Sequence, residues 1–439
     1  LLHKGESRKI EKTLDAHVNK TLTTPPWHWL PPLITLSLVL ALHVDVPYYD
    51  QWDLLPLLDA YYQGTLQWQD LLQPHNGHIL LLPKIVMLGL AILTQWNTLA
   101  EVLFSFICML INWFLLQKIA GILLGRAPSI TEKITISLLV FSLSQAQNWL
   151  WGWQLQIPLA LLLILSGICS LLCIRNNCLA LVAATICGAA ATVSFAGSLP
   201  FWLAVIPVLW QRQRILLLPW LLISSTAVFT YAYLLALSQH SSVEPTFLLS
   251  ATEIFRHTKN TLALLGNLVA HFDMLAAILV GFSATVIVSL QYSRLSSRQK
   301  NLALALLLFS AGSALLVSLS RSGLGDEQML ASRYATLTLP FWITTAVLLM
   351  TSHCAQPIRN SICLLLLASL LLSDVYSFKE FQQLHNRLQR GHTALARIDS
   401  IEGRKQIAVI NPRKDQEQAL QEALLLRQYH LSFYRHDEP

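Results

Sequence analysis

The sequence is poor in charged residues. Only 12% of its 439 residues are Asp, Glu, Lys or Arg, whereas soluble globular domains carry about 25%. In contrast, 54% are hydrophobic, and the mean hydropathy is +0.51. This shortage of charge argues against an ordinary soluble domain and indicates that lipid surrounds much of the chain. Glycine-rich nucleotide-binding loops and the HExxH motif of zinc hydrolases are also missing, so neither class is predicted.

Cysteine is scarce, and its spacing shows no metal-binding or disulfide pattern. The seven cysteines lie in or next to apolar segments, and none combines with histidine at a zinc-type spacing. We expect them to be small buried hydrophobic side chains. The first apolar segment has no adjoining small-residue cleavage site, so it is expected to be retained as a membrane span.

Long apolar segments are what the sequence does contain. A helix needs about 20 mainly apolar residues to cross a membrane. The apolar segments lie at 30–47, 78–94, 98–124, 131–148, 155–174, 178–196, 199–211, 215–238, 261–291, 301–320, 335–352 and 358–375. All except 78–94 are predicted to cross, which gives an all-α polytopic membrane protein with about eleven transmembrane helices.

The chain is predicted to have three parts. Residues 1–29 form an N-terminal arm, and residues 30–375 form the membrane bundle, with a first outer loop at 45–97. Residues 376–439 form a small extramembrane module. This module is expected to be α/β, because residues 406–410 resemble a strand between two helical stretches.

Positive charges predict the orientation, because loops rich in Lys and Arg stay in the cytoplasm. The arm at 1–29 has five such residues and is expected inside, whereas 45–83 has none and is expected outside. The next basic cluster, at 118–133, is expected inside. Only one crossing fits between these regions, so segment 78–94 is predicted to lie at the outer interface. The C-terminal module is then periplasmic, and the formal charge of +6 indicates orientation rather than nucleic-acid binding.

The first outer loop carries the strongest candidates for chemistry. Asp50 and Asp53 lie three residues apart, directly after a span and beside Trp52. Such a pair can share one helical face, hold a divalent cation such as Mg²⁺ or Mn²⁺, or accept a proton from a hydroxyl group. The alternative is that these acids are simply solvated and that Trp52 belongs to the aromatic belt of the membrane interface.

Two further outer segments offer polar groups. His75 and His78 are spaced so that they can share a face and bind metal, or they can hydrogen-bond to the site. Asn148 and Gln154 flank three tryptophans. Indole rings and amides suit the binding of sugars, although three tryptophans at the end of a span are also typical of an aromatic belt.

Three cationic residues are candidates for binding phosphate. Arg321 and Arg333 flank the outer loop at 320–334, and Tyr334 follows directly. The planar guanidinium group binds phosphate oxygens in pairs. These arginines can instead extend to the interface or pair with the two acidic residues of the same loop. Lys84 is the third candidate, because a lysine in an apolar segment usually faces a partner or a cavity.

The order of these features resembles the GT-C superfamily of membrane glycosyltransferases, which includes protein mannosyltransferases and the lipid A aminoarabinose transferase. The shared features are one span, an outer loop that opens with an acidic pair, interfacial helices and a span that ends in a basic loop. The resemblance covers about the first 130 residues, and the His-Asn-Gly-His element at 75–78 also resembles bacterial members. The acids here are separated by two residues, whereas adjacent acids are common in the superfamily. Whether Asp50 or Asp53 acts as the base therefore stays open.

The resemblance implies a GT-C-type bundle that transfers a sugar from a polyprenyl-phosphate donor to a glycan, lipid or protein. The reaction is expected at the outer face of a bacterial inner membrane. Asp50, supported by Asp53, is the expected base or metal ligand. The residues expected to bind the donor phosphate are Arg333, Arg321, Lys84 and Tyr334. The residues expected to bind substrate are His75, His78, Asn148, Gln154 and Trp52.

The main alternative is a transporter or flippase of a lipid-linked or amphipathic substrate. Transporters place ionisable groups near the middle of the membrane and often contain inverted repeats. Here the ionisable groups concentrate in the outer loops, and no repeat is seen. A non-catalytic membrane partner is a third interpretation.

Overall fold

The structure, a computed structural model, describes residues 26–238 and 250–436. These residues are about 82% helical and contain no β-strand, which confirms the all-α class. Residues 1–25, with the five basic residues of the predicted cytoplasmic arm, lie outside the described residues.

Nineteen α-helices are described, and short 3₁₀ turns connect many of them. The first ten are α1 Leu30–Leu42, α2 Leu55–Tyr62, α3 Trp68–Leu72, α4 Leu81–Thr94, α5 Thr98–Leu124, α6 Ile130–Val140, α7 Ala146–Leu150, α8 Gln156–Cys173, α9 Asn177–Thr192 and α10 Phe201–Ala204. The others are α11 Ile206–Arg212, α12 Leu217–Ser238, α13 Ala251–Asn267, α14 Met274–Tyr292, α15 Ser297–Arg321, α16 Leu339–Met350, α17 Gln356–Ala396, α18 Ile401–Gln406 and α19 Gln416–Gln428.

Among the described residues, six helices are long and apolar enough to cross a membrane. They are Thr98–Leu124, Gly152–Cys173, Arg214–Leu237, Met274–Tyr292, Ser297–Arg321 and Gln356–Ala396. Shorter apolar helices lie at Trp27–Leu42, Leu81–Thr94 and Asn177–Thr192. These helices support an integral membrane protein, while the count of about eleven crossings stays a prediction.

Helix α5 shows how local sequence sets a helix's ends. Asn97 caps its start, since the Asn97 side chain accepts a hydrogen bond from the Leu99 backbone N–H. Gly125 ends it with a φ of +68°, a left-handed conformation that glycine adopts without strain. The 27 residues extend about 40 Å, enough to cross the hydrocarbon core. This helix has the bounds that the sequence predicts.

The apolar segment predicted as one helix at 261–291 is instead divided between α13 and α14. Asp273 is the last residue of the connection between the two helices. Its side chain caps the start of α14 by accepting a hydrogen bond from the backbone of that helix. The two helices pack closely because Gly266 has no side chain. A Cβ atom there would lie 1.9 Å from the carbonyl oxygen of Ala277. The prediction of one continuous helix is wrong because the capping residue was read as part of the apolar run.

Residues on both sides of helix α4 in the sequence contact one turn of the first loop. Just before α4, the His75 Nε2 atom lies 3.5 Å from Asp50. Just after it, the Trp96 indole donates to Glu101 over 3.0 Å, and Glu101 also accepts from Gln51 over 2.6 Å. Asp50 and Gln51 are adjacent, so the chain before α4 and the chain after it contact the same turn. That α4 does not cross the membrane and lies at the outer interface stays a prediction.

The C-terminal part differs from the predicted α/β module. The boundary expected at residue 375 lies inside α17, whose 41 residues extend about 60 Å, twice the hydrocarbon thickness. The strand predicted at 406–410 is wrong, because these residues end α18 and continue into a 3₁₀ turn. Ile407 and Ile410 are both fully buried. Their spacing of three residues is helical, whereas a strand would bury alternate residues.

The chain after α17, residues 397–436, is called the C-terminal segment, and it packs against the first loop. The Tyr429 hydroxyl donates to Asp59 over 2.6 Å, and the Ser432 backbone N–H donates to the Gln95 carbonyl over 2.8 Å. Arg435 forms an ion pair with Asp45. These contacts require the segment and the loop to lie on the same side of the bundle. Which side of the membrane this is stays a prediction.

Candidate functional site

A cavity of about 990 Å³ lies where the first loop, the 147–157 region, the 321–334 region and α17 meet. Its volume is in the range of small-molecule sites. Seven of the predicted site residues line it: Asp50, His75, His78, Gln154, Arg321, Arg333 and Tyr334. The fold thus brings the acidic and the cationic candidates into one cavity.

Four predicted site residues lie outside this lining: Trp52, Asp53, Lys84 and Asn148. Trp52 is fully buried in the core. The Lys84 ammonium group is also buried and donates to the Gln73 carbonyl over 2.7 Å, so it holds the loop before α4. The Asn148 amide donates to the Arg333 carbonyl over 2.9 Å. Lys84 and Asn148 therefore support the site from outside the cavity.

A tight turn positions the two histidines. Between them, Asn76 and Gly77 have φ values of +49° and +76°, as a two-residue type I′ hairpin requires. The backbones of His75 and His78 pair in both directions, over 2.8 and 2.9 Å. The histidines therefore do not share a helical face as the sequence suggested, although both reach the cavity. The Asn-Gly pair is the sequence signal that predicts such a turn.

Asp50, Asp53 and His75 form a compact cluster. The 3₁₀ turn at Tyr49–Leu54 places residues three apart on one side. The His75 Nδ1 atom lies 3.1 Å from Asp53, and Arg413, from the C-terminal segment, contacts both carboxylates. Burial raises the pKa of Asp53, but the His75 hydrogen bond and the Arg413 charge outweigh burial and lower it overall.

The two histidines have pKa values shifted in opposite directions. Burial lowers the pKa of His75, but hydrogen bonds to Asp50 and Asp53, and the charges of these residues, raise it above its ordinary value. The pKa of His78 is lowered to about 4, by burial first and then by the positive charges of Arg321 and His75. His78 is therefore a neutral hydrogen-bonding group at neutral pH, whereas the two carboxylates favour the protonated form of His75.

The predicted divalent cation can be tested against this geometry. Ligand atoms of Asp50, Asp53 and His75 lie within 4.8 Å of one another, a spacing that a cation can use. However, the Arg413 guanidinium group already contacts both carboxylates. A metal ion held between the same two carboxylates would be repelled by the guanidinium charge. With Arg413 in this position the cluster does not fit a metal ion.

Arg321 and Arg333 also line this cavity. Arg333 donates to Gln147 over 2.7 Å and to Gln328 over 3.3 Å, and its guanidinium group lies 4.7 Å from the Tyr334 ring centre. An Arg321 Nη atom lies 3.3 Å from His78. Neither arginine forms an ion pair with a carboxylate of the described residues.

Asp326, one of the two acidic residues of the loop that are alternative partners of Arg321 and Arg333, is engaged elsewhere. Asp326 accepts from Lys259 over 2.6 Å and lies 3.8 Å from Arg256. The ion-pair alternative considered from the sequence is therefore not observed for Asp326. Both guanidinium groups keep their charge available for an anionic ligand.

The sequence interpretation missed one whole wall of the cavity. Residues of α17 at helical spacing line it, together with one residue of the α13–α14 connection: Tyr376, Lys379, Glu380, Gln383, Leu384, Arg387 and His271. Glu380 accepts from Gln147 and Ser332, each over 3.0 Å, so it ties α17 to the neighbouring loops. The spacing of three and four residues in α17 is a usable signal, but the boundary predicted at residue 375 assigns these α17 residues to a separate module.

Comparisons of this chain with known protein families, with curated proteins and with solved structures find no match. They therefore neither support nor contradict the resemblance to GT-C enzymes. Any functional assignment rests on the geometry and chemistry of the cavity.

Proposed function

We propose that the chain is a membrane glycosyltransferase that uses a polyprenyl-phosphate-linked sugar as donor. One observation carries the proposal: a single cavity is lined by Asp50 of the acidic cluster and by Arg321 and Arg333, and neither arginine pairs with a carboxylate of the described residues. Transfer from a lipid-linked phosphate needs a base for the acceptor hydroxyl and cations for the leaving phosphate. Both requirements can be met by residues of this chain alone.

Asp50 is the proposed base. Its contacts with Arg413 and His75 both use Oδ1, and Oδ2 has no hydrogen-bond partner among the described residues. In the proposed step the acceptor oxygen bonds to the anomeric carbon while the bond from that carbon to the phosphate oxygen breaks. The hydroxyl proton passes to Asp50, and the polyprenyl phosphate leaves with its negative charge beside Arg333 and Arg321.

The setting we propose is the outer face of a bacterial inner membrane. The charge pattern of the loops supports this orientation, and the apolar helices allow the polyprenyl chain to remain in lipid while its phosphate enters the cavity. The acceptor is a glycan, lipid or protein that bears a hydroxyl group. Arg333, Arg321, His78 and Gln154 are the proposed contacts to donor and acceptor.

The test is transfer from a panel of polyprenyl-phosphate sugars by protein in lipid nanodiscs. Asp50→Asn should lower the rate by about 10²–10⁴-fold, as expected for loss of a general base. The matched control is Asp70→Asn, since Asp70 belongs to the same loop but lies outside the cavity lining. Equal transfer by both variants would place the base elsewhere. If a donor binds but none is turned over, the flippase alternative is preferred.

A further inference from the structure

We infer that Arg413 is the resident cation of the Asp50–Asp53 pair, in the place that a divalent metal would otherwise take. The C-terminal segment therefore completes the site. The effect on catalysis rests on the proposed glycosyl transfer, whereas the exclusion of metal does not. Arg413 acts through the acids and is a positioning residue.

The contacts of Arg413 are those of a bridging cation. The same Nη1 atom contacts Asp50 and donates to Asp53 over 2.9 Å. Its guanidinium carbon lies 5.8 Å from the Tyr49 ring centre, within cation–π distance. About two thirds of the side chain is shielded from solvent, so the ion pairs are only partly screened.

The backbone that precedes Arg413 is held by two buried residues. The Ile410 carbonyl accepts a hydrogen bond from the Tyr49 backbone over 2.8 Å, directly beside the acidic turn. Ile410 itself is fully buried. The buried Asn411 donates to Glu422 of α19 over 2.6 Å. Arg413 is thus delivered by a docked segment and is not a surface side chain that reached the acids by chance.

Charge balance explains why the pair needs a resident cation. Asp50 is buried and Asp53 is half-buried, and two carboxylates in one site disfavour each other's ionised form unless positive charge is close. Enzymes often supply that charge with a divalent metal. Arginine stays protonated at all working pH values, so Arg413 supplies the charge permanently. Activity should then not depend on an added metal.

Manganese(II) binding, measured by electron paramagnetic resonance, tests the inference without any turnover. The wild-type protein should bind no stoichiometric Mn²⁺. Arg413→Ala should gain one site, and Arg413→Ala combined with Asp53→Asn should lose it again. The matched control is Arg427→Ala, which removes an arginine of the same segment that pairs only with Asp399 in the described structure. This control should bind no Mn²⁺.

The same proteins are then assayed for transfer where a donor has been found. Wild-type transfer should resist EDTA. Arg413→Ala should lose about 10²-fold, as expected when a reacting group is misplaced, and free guanidinium ion or Mn²⁺ should partly restore it. A purely structural arginine would not be rescued in this way.

Three results would overturn the inference. They are stoichiometric Mn²⁺ binding by the wild type, loss of wild-type transfer in EDTA, and absence of Mn²⁺ binding by a folded Arg413→Ala protein. If Arg413→Ala does not fold, Arg413→Gln and Arg413→Lys replace it. Arg413→Gln should bind Mn²⁺ and Arg413→Lys should not, and equal behaviour would also overturn the inference. If no polyprenyl-phosphate sugar serves as donor, the proposed function is refuted. The Mn²⁺ measurements still decide whether Arg413 takes the place of a metal.

Discussion

Gly152 lies directly against the buried carboxylate of Glu101. A Cβ atom on Gly152 would lie 2.1 Å from the Glu101 carboxylate oxygen and 2.8 Å from the Gln51 amide nitrogen. Gln51 in turn accepts a hydrogen bond from the Tyr48 backbone at the start of the acidic turn. The absence of a side chain at Gly152 therefore leaves room for the hydrogen bond between Glu101 and Gln51, the residue next to Asp50.

Gly152→Ala should destabilise the protein and lower its transfer rate. The added methyl group must displace Glu101 or Gln51, and overpacking of this kind costs about 1–3 kcal/mol. Gly89→Ala is the matched control, because a Cβ atom at Gly89 meets no atom within 4 Å and alanine favours a helix. Thermal unfolding in detergent checks both variants. Equal unfolding temperatures would contradict the close approach at Gly152.

The fold could be predicted from the sequence where the signal is local. Helix α5 has its predicted bounds because Asn97 and Gly125 mark its two ends. The division of 261–291 was missed because Asp273 is a single cap within an otherwise apolar run. Residues 406–410 were misassigned because only the packing distinguishes a short helical stretch from a strand.

The site was predicted only in part, for a related reason. Asp50 and His75 each belong to a short local pattern, the pair of aspartates and the pair of histidines, that a single sequence shows. In contrast, Arg413 is 363 residues from Asp50. Contact between such distant residues depends on docking of the C-terminal segment, through pairs such as Tyr429 and Asp59. No periodicity or spacing in a single sequence reports such a pair.

His75→Gln and His78→Gln should change the pH dependence of stability in opposite ways. The pKa of His75 is raised in the folded state, so its stabilising effect is complete below about 6.5 and is lost as pH rises through the raised value. The pKa of His78 is lowered to about 4. Its proton is therefore taken up more readily by the unfolded chain, and stability falls as pH drops from about 6.5 to 4.

Thermal unfolding from pH 4 to 8 measures this difference. His75→Gln should lose most stability relative to wild type below pH 6.5, and the loss should shrink at higher pH. His78→Gln should become more stable relative to wild type as pH falls. Parallel curves for the two variants would show that the histidines do not have opposite shifts.

The side of the membrane can be assigned by cysteine labelling. Gln69 in the first loop and Glu402 in the C-terminal segment are exposed and lie in the two regions that the structure packs together. In a background without native cysteines, Gln69→Cys and Glu402→Cys should react with an impermeant thiol reagent added to the periplasmic side. Arg298→Cys lies in the first turn of α15, in the basic stretch 294–300 that the charge pattern also predicts to be cytoplasmic, and it should react only after permeabilisation. Opposite accessibility of Gln69→Cys and Glu402→Cys would contradict the docked segment.

Binding of the donor phosphate should depend on the geometry of the Arg333 guanidinium group as well as on its charge. Gln147 and Gln328 orient its guanidinium group, and the Tyr334 ring packs against the face of that group. The paired N–H donors of the guanidinium group are therefore fixed in position before an anion binds. Arg333→Lys keeps the charge but loses the paired donors and should weaken donor binding. Arg333→Ala should weaken it further, by about 10–100-fold, since a charged hydrogen bond contributes about 1.5–3 kcal/mol.

Donor binding by these variants is compared with that of Arg359→Ala. Arg359 lines a different cavity, and its side chain donates only to the Ser352 carbonyl among the described residues, so its loss should leave donor affinity unchanged. The order wild type, Arg333→Lys, Arg333→Ala separates geometry from charge, because only the first step keeps the charge constant. If Arg333→Ala binds donor as well as Arg359→Ala does, the phosphate is held elsewhere. Arg321 is then the next residue to test, since it lines the same cavity without a carboxylate partner in the described structure.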